Sequence, residues 1–226
     1  MKYMIHACNK RLWYVENFLL PSMLEQGIRR EKIEIWLDEL NEGCLPSFYK
    51  SMTYLGNLNN EADGVWHLQD DVCISKDFKE KTEAFHHGIV CGFCSQTFSD
   101  DETKSGEVKN KDMWYSFPCI RIPNAVAYRF AKWYEDDVIH NEQYRMWVKA
   151  KKFDDSLFRI FVEDYYEGYI YNLNPNIVDH VDYLIGGSVL NVGREGKWRS
   201  KYWNDNEAIS KLEHQLVERA ISYADK

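Results

Sequence analysis

A chain of 226 residues can bury one sizeable core and falls short of the ~250–300 residues at which cores divide. One domain spanning residues 1–226 is therefore expected. Hydrophobic residues at 45% and charged residues at 28% exclude a disordered or collagen-like chain. Lys and Arg number 28 against 36 Asp and Glu, a net charge of −8, which disfavours a life on phosphate backbones or anionic membranes.

The first 95 residues alternate strand and helix. Tyr3–Cys8 reads as a strand, followed by a helix with Leu12, Val15, Leu19 and Met23 on one face, a kink expected at Pro21 and an end at Gly27. Ile33–Leu37 is a second strand, Leu45–Leu58 a helix, and Val65–Leu68 a buried strand running into Asp70-Asp71. Ser75 is placed to cap a helix over Lys76–His87, and Ile89–Phe93 is the next apolar strand. Alternation of this kind predicts an α/β fold with a mostly parallel central sheet flanked by helices. Ser95–Asp112 is polar and reads as a loop; Tyr115–Ile122 reads as extended and closes at Pro123. Helices are expected over Asn124–Ile139 and Asp154–Glu167, a strand over Tyr169–Leu173, and a closing amphipathic helix over 205–226.

No apolar run approaches the ~18 residues that cross a bilayer, so no stable membrane insertion is expected. The start, Met1-Lys2-Tyr3-Met4-Ile5-His6, lacks the pattern of a signal peptide. Six scattered cysteines then suit reduced thiols in a cytoplasm. Cys91-Gly-Phe-Cys94 lies inside a strand pattern, where sheet-buried free thiols are expected rather than a redox pair.

The strongest chemical signal is Val65-Trp66-His67-Leu68-Gln69-Asp70-Asp71. A buried strand there delivers two adjacent carboxylates at its C-terminal end, where ligands bind in open α/β sheets. Like charges side by side call for a cation or a substrate hydroxyl. Near the C-terminus stand Pro175-Asn176-Ile177-Val178-Asp179-His180 and then Gly186-Gly187-Ser188.

The order and spacing of these segments resemble nucleotide-sugar glycosyltransferases of the GT-A type, most nearly the small ones carried by bacteriophages. Cys8-Asn9-Lys10-Arg11 after the first strand and Trp36-Leu37-Asp38 after the second fit the same pattern. The resemblance implies a donor site built from Asn9, Arg11, Asp38, Gln69 and Asp70, with Asp38 accepting from uracil N3–H and Asp70 facing the donor's ribose or sugar. It implies Mn²⁺ or Mg²⁺ held by Asp71 and His180, stabilising a departing UDP. Gln69 departs from the pattern, because the leading carboxylate of Glu-Asp-Asp is absent. Asp155, with Asp154 as its competitor, is the catalytic base the resemblance implies if the reaction inverts the anomeric centre. Arg194, Lys197 and Arg199 fall where a lid over residues 194–204 would cover the donor diphosphate. The resemblance implies a hydroxyl acceptor, with modified DNA bases, lipid-linked sugars, protein side chains and small molecules all open. A metal-dependent phosphoesterase or nuclease and a non-catalytic nucleotide-sugar-binding module are the rival readings.

Overall fold

The computed structural model describes residues 2–58, 64–94, 106–107, 117–187 and 199–224. Strand β1 (Lys2–Cys8) leads into helix α1 (Leu12–Tyr14), a π-helical turn over Val15–Leu19 and α2 (Leu20–Glu25). Pro21 has no N–H to offer the carbonyl one turn earlier, and the widened turn lies just before it. Gly27, at φ +76°, ends the helix as expected. Strand β2 (Ile33–Asp38), α3 (Cys44–Gly56) and β3 (Val65–Gln69) follow, then β4 (Val72–Ile74), α4 (Phe78–Glu83) and β5 (Ile89–Cys91). The rest comprises β6 (Gly106–Glu107), β7 (Cys119–Ile122), α5 (Asn124–Asp136), α6 (Arg145–Ala150) and α7 (Asp154–Tyr165), then β8 (Ile170–Asn172), β9 (Val178–His180) and α8 (Asn206–Ala224).

Among the described residues, seven strands form the central sheet in the order β2-β1-β3-β7-β5-β8-β6. Only β7 and β6 run against the other five, so the expected α/β architecture with a mostly parallel sheet is present. Side chains alternate across it, as a period of two requires. Met4 and Val65 point into one core, with Phe48 of α3, Phe130 of α5 and Phe158 of α7. Tyr3, Ile5, Trp66 and Leu68 point into the other, with Phe18, Phe78 of α4 and Leu212 of α8. Much of the aromatic excess packs here: the Phe48 ring lies 4.9 Å from Phe117 and 5.4 Å from Phe130. Cys91 and Cys94 are buried and unbridged, as expected.

Two local expectations need correction. Helix α4 starts at Phe78 rather than Lys76, and the Ser75 hydroxyl instead donates to Asp77 Oδ1 at 2.7 Å. Gly106–Glu107, read as part of a loop, pairs antiparallel with β8. A small second sheet joins β4 to β9, with Val72 opposite His180 and Ile74 opposite Val178.

Candidate functional site

The winding of the sheet decides where its chemistry gathers. β1 pairs with β2 on one side and with β3 on the other, and the connecting helices change faces between them. That makes the carboxyl ends of β1 and β3 a topological switch point, where a crevice for ligand forms in open α/β sheets. Asp70 and Asp71 stand in the turn leaving β3, and Arg11 stands just past β1. A turn closed by the Arg11 N–H donating to the Cys8 carbonyl at 3.0 Å brings the guanidinium back over the strand ends.

Arg11, Asp70, Asp71 and His180 form one cluster, each less than a tenth exposed. Arg11 Nη1 donates to Asp70 Oδ1 at 2.9 Å and also to Asp71 Oδ2, while Nη2 donates to the Gly187 carbonyl at 3.0 Å. The Cys8 N–H donates to Asp70 Oδ2 at 2.8 Å. His180 arrives through the β4–β9 pairing, reinforced by the Val181 N–H donating to the Asp71 carbonyl at 2.8 Å. Its Nε2 lies 3.1 Å from Asp71 Oδ2, and its Nδ1 lies 3.3 Å from Asp182 Oδ1.

Burial alone would raise the Asp71 carboxyl, but His180 and Arg11 outweigh it and hold it down at about 2. Burial, and then the charge on Asp71, push Asp70 the other way, against Arg11 and the Cys8 N–H. For His180 burial favours the neutral ring, yet Asp71 and then Asp182 raise it to about 10.

Asp71 and His180, expected from sequence to share a cation, are thus neighbours. Asp71 Oδ2 accepts from Arg11 and faces His180, and both His180 nitrogens face carboxylate oxygens, whereas Asp71 Oδ1 and His180 Nδ1 are buried without a hydrogen bond. Among the described residues no group of three His, Cys, Asp or Glu side chains is placed to hold a metal ion. As arranged, these residues do not fit a resident divalent ion.

The other expected site residues fall around this cluster or away from it. Asp38 ends β2 directly beside Cys8 in register, and its two oxygens accept from the N–H groups of Glu42 (2.9 Å) and Gly43 (3.0 Å). Asn9 is exposed and donates to the Glu39 carbonyl at 3.0 Å, and Gln69 pairs with His6 in register at the end of β3. Asp154 and Asp155 open α7. Asp154 is buried, and burial followed by the charge on Asp155 raises its carboxyl to about 6. Asp155 is exposed and accepts from the Ser156 N–H at 2.7 Å.

Arg194 and Lys197 lie outside the described residues, as does the expected lid up to residue 198. Arg199 belongs to an anchor rather than a free rim. Its Nε and Nη2 both donate to the wholly buried Asp179 Oδ2 at 2.6 Å. The Ser200 N–H reaches Asp179 Oδ1 at 2.6 Å, and the Lys201 N–H reaches the Cys94 carbonyl at 2.7 Å. Residues 199–202 are therefore tied to β9 and the end of β5.

Sequence reasoning missed Asp179 and Asp182 as partners, although both flank His180 in one short acidic run. A cavity of about 310 Å³ lies elsewhere, between α2, β4 and α8, lined by Ser22, Lys76, Lys211 and Leu212. It contains none of the four clustered residues.

No protein-family model and no curated protein matches the chain. Among solved structures, a galactosyltransferase, LgtC, in complex with donor and acceptor sugar analogs is similar at 10% identity and TM-score 0.38, over 77% of this chain and 73% of that one. HddC from Yersinia pseudotuberculosis is similar at 9% identity and TM-score 0.37, over 76% of this chain and 89% of that one. Likeness at this level carries no functional weight.

Proposed function

We propose that this chain is a nucleotide-sugar glycosyltransferase that moves a sugar from a nucleoside diphosphate, UDP first among the donors, to a hydroxyl acceptor. One observation carries the reading. The adjacent carboxylates Asp70 and Asp71 and the cation Arg11 converge at the switch point of an α/β sheet, with Asp38 ending the next strand. A carboxylate at the Asp70 position suits a ribose or sugar hydroxyl, and Asp38 beside it suits a base edge. Those are the roles that the resemblance of Trp36-Leu37-Asp38 and Gln69-Asp70-Asp71 to the GT-A pattern implies.

Transfer with inversion needs a base on the acceptor side of the anomeric carbon. Of the two acids opening α7, Asp155 is the one that solvent reaches, so it is the candidate to take the acceptor's proton. Asp154 is buried against Cys44 at the start of α3.

Incubation with a panel of nucleotide sugars and hydroxyl acceptors, with and without divalent ion, tests the proposal. Release of the nucleoside diphosphate together with a glycosylated acceptor is expected. Binding without turnover would make the chain a binding module, and cleavage of a phosphodiester would make it a nuclease.

A further inference from the structure

Two adjacent buried carboxylates are not stable without positive charge nearby. In this chain that charge is supplied internally. Three of the four oxygens of Asp70 and Asp71 are engaged, by Arg11 on both residues, by His180 on Asp71 and by the Cys8 N–H on Asp70. Of these four oxygens, Asp71 Oδ1 is the one buried without a hydrogen-bond partner. A Mg²⁺-type ion is held by one or two carboxylates, with water and phosphate completing its octahedron; here the carboxylate that would bind it is already paired with a guanidinium, whose charge repels a second cation.

The resemblance to the GT-A pattern bears on the same charge balance. Position 69, where the resembled pattern has a third acid, is Gln69. With one negative charge fewer at the end of β3, Arg11 with His180 goes further toward balancing the site.

Arg11 also retains donor capacity. A guanidinium carries five N–H groups. Nη1 serves the two carboxylates and Nη2 the Gly187 carbonyl, whereas Nε is buried with no hydrogen-bond partner. A donor held in this way suits a strong anionic acceptor such as a phosphate oxygen.

We propose that Arg11 is the resident cation of this site, so that a nucleoside diphosphate binds on Arg11 with no requirement for a divalent ion. The proposal rests on the nucleotide-sugar reading for its ligand, and its test separates the two. Electron paramagnetic resonance of Mn²⁺ titrated into the wild-type protein reports direct metal uptake. Calorimetry then measures UDP affinity in EDTA and in saturating Mn²⁺.

The expected result is no Mn²⁺ uptake that depends on Asp71, and UDP affinities that agree within about twofold in the two conditions. Arg11→Met should weaken UDP at least about tenfold in EDTA and make the residual binding respond to Mn²⁺. The wild-type comparison decides the matter even if that variant fails to fold. Mn²⁺ tightening UDP tenfold or more in the wild type, with the gain lost in Asp71→Asn, would overturn the proposal. If UDP binds in neither condition, the nucleotide reading fails. The Mn²⁺ titration alone then judges Arg11: uptake lost in Asp71→Asn overturns its role, and absence of uptake upholds it.

Discussion

Asp154 shows how one buried carboxyl ties stability to pH. Burial and the neighbouring Asp155 lift it from 3.8 to about 6. The folded protein therefore keeps a proton that the unfolded chain releases between about pH 4 and 6. Stability falls as pH rises through that window, and above it the full cost is on the order of 3 kcal/mol. Asp154→Asn should flatten the melting temperature between about pH 4 and 8 and raise it at the alkaline end. A variant with the wild-type slope would show that the cost lies on another group. Burial raises the Asp179 carboxyl as well, against the Ser200 N–H and Arg199, so this wholly buried acid relies on its guanidinium partner. Arg199→Met should cost about 3–5 kcal/mol in urea denaturation. Adding Asp179→Asn should recover at least about 1 kcal/mol of that loss. A single-variant cost below about 0.5 kcal/mol would instead mark an ordinary surface pair.

At the scale of elements, the turn from β2 into α3 holds the end of the site together. Asp38 caps it from one side, and Gly43 closes it at φ +105°, where a Cβ would meet the Lys151 carbonyl oxygen at 2.7 Å. Asp38→Ala should cost about 1–2 kcal/mol through two lost acceptors. Gly43→Ala should cost at least as much, because both strain and contact oppose it. Equal thermal stability of wild type and Gly43→Ala would mean that the turn relaxes freely.

Strands β1 and β3 are legible in the sequence, since buried strands of a parallel sheet leave near-continuous hydrophobic runs, and edge strand β2 shows itself by alternating Ile33, Ile35 and Leu37. The small sheet of β4 and β9 is not legible, because these strands lie outside the strand–helix alternation and are defined by pairing with each other. Helix α6 escapes because six residues, Arg145–Ala150, are too few to show a helical period, although Trp147 and Val148 pack partly buried against the core. Within the site, Asp70, Asp71 and Arg11 stand out from their places after strands, but their mutual contact depends on the β1–β3 pairing, which no local pattern states. Arg199 is a cation near the site by sequence and an anchor by structure, because its partner Asp179 is buried on β9.

On the scale of the whole molecule, one sheet covered on both faces leaves its carboxyl edge as the place where charge is concentrated. The net charge of −8 offers no general attraction for a nucleotide, so binding must come from a local arrangement of cations. Hydrogen exchange with and without a UDP-sugar reads that location directly. Bound donor should slow exchange over residues 8–11, at 69–71 and from 180 to 187, and should leave 22–26 and 205–215 around the α2–α8 cavity unchanged. No nucleotide sugar altering exchange at the carboxyl ends of β1 and β3, or protection confined to the α2–α8 cavity, would contradict a donor site built on Arg11, Asp70 and Asp71.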